Sequence, residues 1–241
     1  LVSPFFTFNF SWGDSWGESG YFYMSYYDSV GIYSAGLMPS RMDYDVGATI
    51  HGHAEMGWVS ELGYQDDGKD LAFVKFIPSS DQQIQSIGTY AIASGASMDI
   101  EVYDDFDGSS LSNLLGSLSG QSCTYSGYHT FELSSPIEVT SGNDVYVKVA
   151  YNTGTDFPIP VETVKSGYSS NAVIADSGAC WVSSDGTNWL ALGNGITDLE
   201  YDVCIKAYAT ESSGSGTGSG GSSSSPFSWL NPQPQGSGLL D

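Results

Sequence analysis

The sequence predicts an all-β protein: an antiparallel β-sandwich of jelly-roll type with extended N- and C-terminal segments. Three observations carry this expectation. Apolar and polar residues alternate with period two in several short runs. In Met98-Asp99-Ile100-Glu101-Val102-Tyr103, Ile100 and Val102 share one face while Asp99 and Glu101 share the other. Such runs recur at intervals of roughly ten residues, separated by Gly, Asp, Asn and Ser turn signals, as in sandwiches. The composition agrees: 16 Tyr and 30 Gly, with aromatics at 14%, favour pleated, turn-rich structure over helices.

Taken in order, residues 1–28 hold two aromatic segments. LVSPFFTFNF is interrupted by Pro4, and Phe6, Phe8 and Phe10 alternate as on a strand with one aromatic face. Asn9-Phe10-Ser11 fits the N-glycosylation sequon, which makes Asn9 a candidate acceptor. Tyr21-Phe22-Tyr23-Met24-Ser25-Tyr26-Tyr27-Asp28 reads as a second strand. Residues 29–47 contain Gly31, Gly36, Pro39 and Gly47, which break any long element, so a linker is expected there.

The sandwich is expected over residues 48–209. Leu71-Ala72-Phe73-Val74-Lys75-Phe76-Ile77 stops at Pro78, and Val145, Val147 and Val149 share a face of the run that ends at Tyr151. Residues 110–118 are the one candidate helix, but their Ser and Gly content predicts an irregular loop. Val203-Cys204-Ile205-Lys206-Ala207-Tyr208 closes the set. Residues 210–225 form a Gly/Ser linker, and an apolar terminal segment follows over residues 226–241.

Charge narrows the function. Lys plus Arg number 6 against 28 Asp plus Glu, a formal net charge of −22. So acidic a surface repels nucleic acid and anionic lipid, and no apolar run reaches the ~18 residues that membrane insertion requires. A start at Leu1 fits a processed terminus or the start of a fragment. Cys123, Cys180 and Cys204 lack C-x-x-C spacing. They read either as three buried thiols or, in an oxidising compartment, as a Cys180–Cys204 disulfide with Cys123 left over.

Ser11-Trp12-Gly13-Asp14-Ser15-Trp16-Gly17-Glu18-Ser19-Gly20-Tyr21 resembles the closing signature of papain-like cysteine peptidases, N-S-W-G-x-x-W-G-x-x-G-Y. In that family the Asn before the Ser orients the catalytic His. Here Phe10 holds the position, with Asn9 one residue upstream. His51, His53, His129 and the three cysteines do not follow the family spacing, so no catalytic residue is assigned and the chain is expected not to be an enzyme. Four stretches resemble the lectin-like domain that follows such peptidases in secreted bacterial and archaeal proteins. They are Gly127-Tyr128-His129-Thr130, Pro158-Ile159-Pro160-Val161-Glu162, Ser184-Asp185-Gly186-Thr187-Asn188-Trp189 and Cys204-Ile205-Lys206-Ala207-Tyr208. The resemblance implies a papain-like remnant joined to its lectin-like domain, in an extracellular or cell-surface setting.

Four sets of candidate residues follow. Trp58, Trp181 and Trp189 could face sugar rings while Asp185 and Asn188 bond hydroxyls, or the tryptophans could plug the ends of the sandwich. Asp104, Asp105 and Asp107 suggest a calcium loop or, alternatively, a solvated acidic turn. His51 and His53 could share a metal. Phe5, Phe6, Phe8 and Phe10 with Phe227, Trp229 and Leu230 could dock on neighbouring copies. Two functions are thus expected: first, a self-assembling filament, sheath or surface layer; second, a carbohydrate-binding targeting module.

Overall fold

The computed structural model describes residues 5–9 (backbone only), 14–25, 47–65, 69–164, 174–196 and 198–212. It divides into two units, residues 1–41 and 42–241. In the first, β1 (Phe5–Asn9) pairs antiparallel with β2 (Tyr21–Ser25), from Phe5 opposite Ser25 to Asn9 opposite Tyr21. The turn before β2 explains two glycines of the Trp-Gly signature. Gly20 N donates to Trp16 O at 2.7 Å, and Glu18 and Tyr21 exchange backbone hydrogen bonds. Gly17 has φ +59°, and a Cβ there would lie 2.5 Å from Tyr21 O, so only glycine fits. Trp16 packs edge-on to Phe22, with ring centroids 6.1 Å apart.

Among its described residues the second unit holds thirteen strands. In chain order they are β3 (Ala48–His51), β4 (Ser60–Leu62), β5 (Asp70–Phe76), β6 (Gln82–Ala91), β7 (Ala96–Phe106), β8 (Leu111–Cys123) and β9 (Gly127–Val139). Then come β10 (Val145–Asn152), β11 (Ile159–Glu162), β12 (Cys180–Ser183), β13 (Leu190–Leu192), β14 (Asp202–Val203) and β15 (Ile205–Glu211). They form a six-stranded sheet, β13-β12-β5-β10-β7-β8, a four-stranded sheet, β3-β15-β6-β9, and a small sheet, β14-β11-β4. The paired strands are all antiparallel. The chain leaves the six-stranded sheet for the four-stranded one between β5 and β6, returns for β7 and β8, and leaves again for β9 before β10. These repeated crossings give the all-β sandwich predicted from the alternation.

Inward faces supply a single main core. Ala72, Val74 and Phe76 of β5 meet Ile100 and Val102 of β7 and Val145, Val147 and Val149 of β10. From the facing sheet come Ile84 and Ile87 of β6 and Ile205, Ala207 and Ala209 of β15. Tyr151 is fully buried in this core, and its hydroxyl needs a partner. It donates to Thr89 Oγ1 at 2.8 Å, and Thr89 donates onward to Cys204 O at 2.8 Å, so a hydrogen-bond chain crosses between the two sheets.

Two expectations change, and others fall outside the described residues. The stretch around residues 110–118 belongs to β8, an edge strand and not a loop. It lacks charge, and its pairing with β7 shifts register between Met98/Ile100 and between Val102/Tyr103. Asn113 and Gly120 take left-handed backbone there. Irregularities of this kind accommodate a Ser/Gly-rich sequence in a ladder and twist its free edge away from new partners. The Cys180–Cys204 disulfide is not formed, and all three thiols are free and buried. Cys180 Sγ lies 3.8 Å from Asp202 Oδ1 and accepts from Val203 N at 3.5 Å, so it faces β14. The expected linker over residues 29–47, except residue 47, lies outside the described residues, as do residues 213–241 of the expected terminal segments. No helix among the described residues is long and apolar enough to cross a membrane.

The outer face of the four-stranded sheet offers a stability test. Tyr128 and Tyr208 share a 2.6 Å hydroxyl contact over Gly88, where a Cβ would lie 1.9 Å from Tyr128 Oη. Gly88→Ala must displace that pair and should cost about 1–3 kcal/mol, the range for overpacking. Urea unfolding followed by circular dichroism reads the loss. An unchanged midpoint would show that the tyrosines do not rest on this glycine.

Candidate functional site

Period-two alternation that buries Val74 projects Phe73 from the opposite, outer face of β5, yet Phe73 is 0% exposed. Side chains from three other strands and one loop cover it. Trp181, its cross-strand partner on β12, stacks with it at 4.6 Å and 24°. Trp189 meets it edge-on at 4.6 Å, and Phe106, at the end of β7, at 4.9 Å. Tyr146 of β10 completes the cluster at 5.9 Å. The Tyr146 hydroxyl donates to Asp144 Oδ2 at 3.0 Å, an oxygen that also takes Lys75 Nζ at 3.1 Å. Burial, with the Asp144 carboxylate beside it, pushes this phenol up to about 12.

The loop after β12 is built by Asp185. Its Oδ1 accepts the N–H groups of Thr187 and Asn188, each at 2.8 Å, and the Ser183 hydroxyl at 3.1 Å. Its Oδ2 accepts Asn188 Nδ2 at 2.7 Å. These donors, the Asn188 N–H foremost, hold the exposed carboxyl well below the usual range. The loop thereby lays half-buried Trp189 on Phe73, while Trp189 Nε1 is buried without a hydrogen-bond partner.

The structure therefore unites Trp181, Asp185, Asn188 and Trp189 along one margin of the large sheet. Trp58 stands apart from that cluster, tilted against Tyr90 of β6 at 6.1 Å. Phe73, Phe106 and Tyr146 were missed. For Phe73 the signal was the nearly continuous apolar run of residues 71–77, which marks a strand covered on both faces. Farther along the sheet, Lys148 pairs with Glu101 and stands 5.5 Å from the Tyr103 ring centroid. Lys69 pairs with Asp99, and this hydrogen bond, followed by the Gly120 N–H, lowers the Asp99 carboxyl.

The expected calcium loop is a hydrogen-bonded turn. Asp107 Oδ1 accepts Ser109 N at 2.8 Å, Ser110 N at 2.7 Å and Ser109 Oγ at 3.0 Å, and Asp105 Oδ2 accepts Ser112 Oγ at 2.9 Å. Among the described residues no group of three or more His, Cys, Asp or Glu could hold a metal, with Asp104 or with His51 and His53. His51 contacts Gln82 Oε1 at 2.7 Å and stacks on Phe76, while His53 Nε2 donates to Lys75 O at 2.7 Å. Of the expected assembly residues, Phe5, Phe6 and Phe8 belong to β1, already paired along one edge with β2, and Asn9 ends that strand. Phe10, Phe227, Trp229 and Leu230 lie outside the described residues.

Two buried acids went unnoticed in the sequence. Glu162 of β11 and Asp202 of β14 are cross-strand partners, both 0% exposed. Glu162 Oε2 accepts Met56 N at 2.7 Å, and its Oε1 is buried without a partner. Asp202 accepts Ala175 N with both oxygens, at 3.2 and 3.0 Å. Burial raises both carboxyls above the ordinary range.

A family model described as a lectin-like domain matches residues 50–209. Two solved structures share the fold. One is the clostridial cysteine protease Cwp84 after propeptide cleavage, with TM-score 0.67 and 21% identity over 86% of this chain and 52% of that one. The other comprises the cysteine protease and lectin-like domains of Cwp84, a surface layer associated protein of Clostridium difficile. It gives TM-score 0.63 and 19% identity over 86% of this chain and 46% of that one. The chain thus spans about half the length of these structures. No curated protein sequence matches it significantly.

The buried acids give a pH test. A carboxyl whose folded pKa is raised favours its protonated form, so its contribution to stability is full below the unfolded pKa and is lost as pH rises through the folded one. Asp202→Asn keeps an acceptor for Ala175 N and removes the charge. As pH rises from about 4, the ordinary carboxyl value, to about 8, its melting temperature should fall less than that of the wild type. Equal slopes for the two proteins would contradict the raised pKa.

Proposed function

The chain belongs to the lectin-like domain family, and we propose that it serves as a non-catalytic targeting module of a papain-like surface cysteine peptidase, holding that enzyme to neutral glycans outside the cell. The observation that carries this reading is the order of parts in one chain. A W-G-x-x-W-G-x-x-G-Y signature stands directly ahead of a lectin-like sandwich. Both Cwp84 structures share this fold, and one of them comprises a cysteine protease domain and a lectin-like domain.

The chemistry of the described residues supports a non-catalytic role. A cysteine nucleophile needs a lowered pKa and access to substrate. Burial instead raises the thiols of Cys123, Cys180 and Cys204. His51, His53 and His129 each spend a ring nitrogen on a side-chain or backbone oxygen. The glycan surface is the margin where Trp181 and Trp189 reach solvent beside the Asp185 loop, since flat half-exposed rings offer apolar faces to sugars. The acidic surface favours neutral saccharides over anionic ones and is no partner for nucleic acid.

The module is favoured over a self-assembling subunit. The cell-surface link comes from Cwp84, and the long β8 edge carries the irregularities that discourage strand addition.

A glycan array with the purified chain tests the reading. The wild type should bind a neutral glycan, and Trp189→Ala should weaken that binding about tenfold or more while keeping its β-sheet circular dichroism. A wild type that binds no glycan on the array overturns the proposal.

A further inference from the structure

Strand pairing strings one row of residues across the six-stranded sheet. Trp181 of β12 stands opposite Phe73 of β5, and Phe73 opposite Lys148 of β10. Lys148 in turn faces Glu101 of β7, and Glu101 faces Ser117 of β8. Cross-strand partners point to the same side of a sheet, so this row shares the outer face that carries the Trp181–Trp189 margin. Steps between strands are roughly 4.8 Å, which puts Lys148 about 10 Å and Glu101 about 14 Å from Trp181 along the row.

The far half of the row is polar and reaches solvent. Lys148 and Glu101 form an ion pair whose side chains are 17% and 30% exposed, and Ser117 beyond them is exposed. The Lys148 ammonium stands 5.5 Å from the ring centroid of half-buried Tyr103, which flanks the row. Two positions along β7 from Glu101, Asp99 pairs with Lys69 and accepts Gly120 N at 2.7 Å. An ammonium has three donors and a carboxylate about four acceptor positions, so Lys148 and Glu101 do not use each other up. A sugar hydroxyl both donates and accepts, and adjacent hydroxyls suit a donor and an acceptor set side by side.

Charge on this face is balanced, although the chain as a whole carries −22. Of the four lysines among the described residues, Lys69, Lys75 and Lys148 stand here, paired with Asp99, Asp144 and Glu101. Balanced pairs neither draw nor repel a ligand from a distance, so short hydrogen bonds decide what is held. Between Trp181 and Lys148 the rings packed over Phe73 supply an apolar floor. Rings at one end and a donor–acceptor pair at the other fit a neutral chain of sugars that crosses the strands. With a pyranose about as wide as one interstrand step, the row accommodates about four sugars.

We propose that the row from Trp181 to Glu101 is an extended binding strip for a neutral linear oligosaccharide laid across the strands, with Lys148 and Glu101 holding hydroxyls at its far end. The inference rests on the glycan-targeting reading and adds the length and direction of the ligand. One sugar stacks at the tryptophans, and the chain runs over β5 and β10 to β7.

The test titrates the full chain by calorimetry with the disaccharide and the hexasaccharide of three neutral series: β-1,4-glucan, α-1,4-glucan and β-1,4-xylan. In the series that binds, the hexasaccharide should bind about tenfold or more tightly, the gain expected from hydrogen bonds to charged groups. The double variant Glu101→Gln, Lys148→Met should cut that gain to a few-fold. Its disaccharide affinity, which the tryptophans carry, should stay unchanged, and circular dichroism checks its fold. In the wild type, the NMR amide signals of Glu101, Tyr103 and Lys148 should move with the hexasaccharide and not with the disaccharide, a readout that needs no variant. Equal affinity for short and long sugars, still amide signals, or the full gain kept in the folded double variant overturns the strip while leaving the glycan reading in place. Absence of binding in all three series also overturns it, and the array then decides the glycan reading separately. Sedimentation of the wild type as a dimer that the double variant splits assigns this face to a second copy of the chain and overturns the sugar assignment.

Discussion

Phe73 and Tyr146 are buried although they project from the outer face of the six-stranded sheet, and covering them dictates much of what surrounds them. Their strands, β5 and β10, have the main core on their inner side. An apolar face left in water would forfeit about 1.5–3 kcal/mol for each large side chain. The chain covers the outer side with Trp181 from the neighbouring strand, Phe106 from the end of β7 and Trp189 from the loop after β12. The candidate site is the rim of this second, smaller core. Its tryptophans are held in place by packing against Phe73, an arrangement that would lower the entropy lost on binding a ligand.

Polar groups inside the sandwich are arranged with similar economy. The Tyr151 hydroxyl could have been an orphan in the main core, but Thr89 receives it and passes a hydrogen bond to Cys204 O. Glu162 and Asp202 each hold a loop by its backbone N–H, at Met56 and at Ala175. Burial opposes their ionisation, so these clamps carry an electrostatic penalty that grows with pH. Asp185 does the same work in water, where its charge strengthens every bond it accepts at little desolvation cost.

The strands were legible because a half-buried strand writes its two faces into alternate residues, as 98–103 does. The 71–77 run broke that alternation because both its faces are covered, and with that knowledge Phe73 could have been found. β8 was illegible for the opposite reason: an edge strand with mostly exposed side chains needs few apolar residues, and Ser and Gly suffice where pairing with β7 supplies the order. Trp181, Asp185, Asn188 and Trp189 could be grouped from sequence by proximity alone. Trp58 lacked any local cue that would set it beside Tyr90 of β6. A small apolar cavity lined by Leu62, Tyr64, Ile159, Val182, Leu190 and Leu199 draws on β4, β11, β12 and β13 with the segments after β4 and before β14, a convergence that topology sets and no motif announces. Carboxylate spacing alone could not separate a calcium loop from a solvated acidic turn, because it says nothing about competing donors. Ser109, Ser110 and Ser112 were near enough in sequence to satisfy Asp105 and Asp107 locally.

The Trp-Gly signature shows how one motif can answer both a steric and a chemical requirement. Gly17 is required because a side chain there would strike the Tyr21 carbonyl, and Gly20 because the turn closes on Trp16 O with positive φ. Both requirements belong to the turn that feeds β2 and hold whether or not a catalytic residue is nearby. The position that chemistry would demand, the Asn ahead of the Ser, carries Phe10. Steric constraint thus accounts for the part of the signature that is kept. Phe10 stands at the one position of the signature whose requirement is chemical, and the turn that feeds β2 places no demand on it.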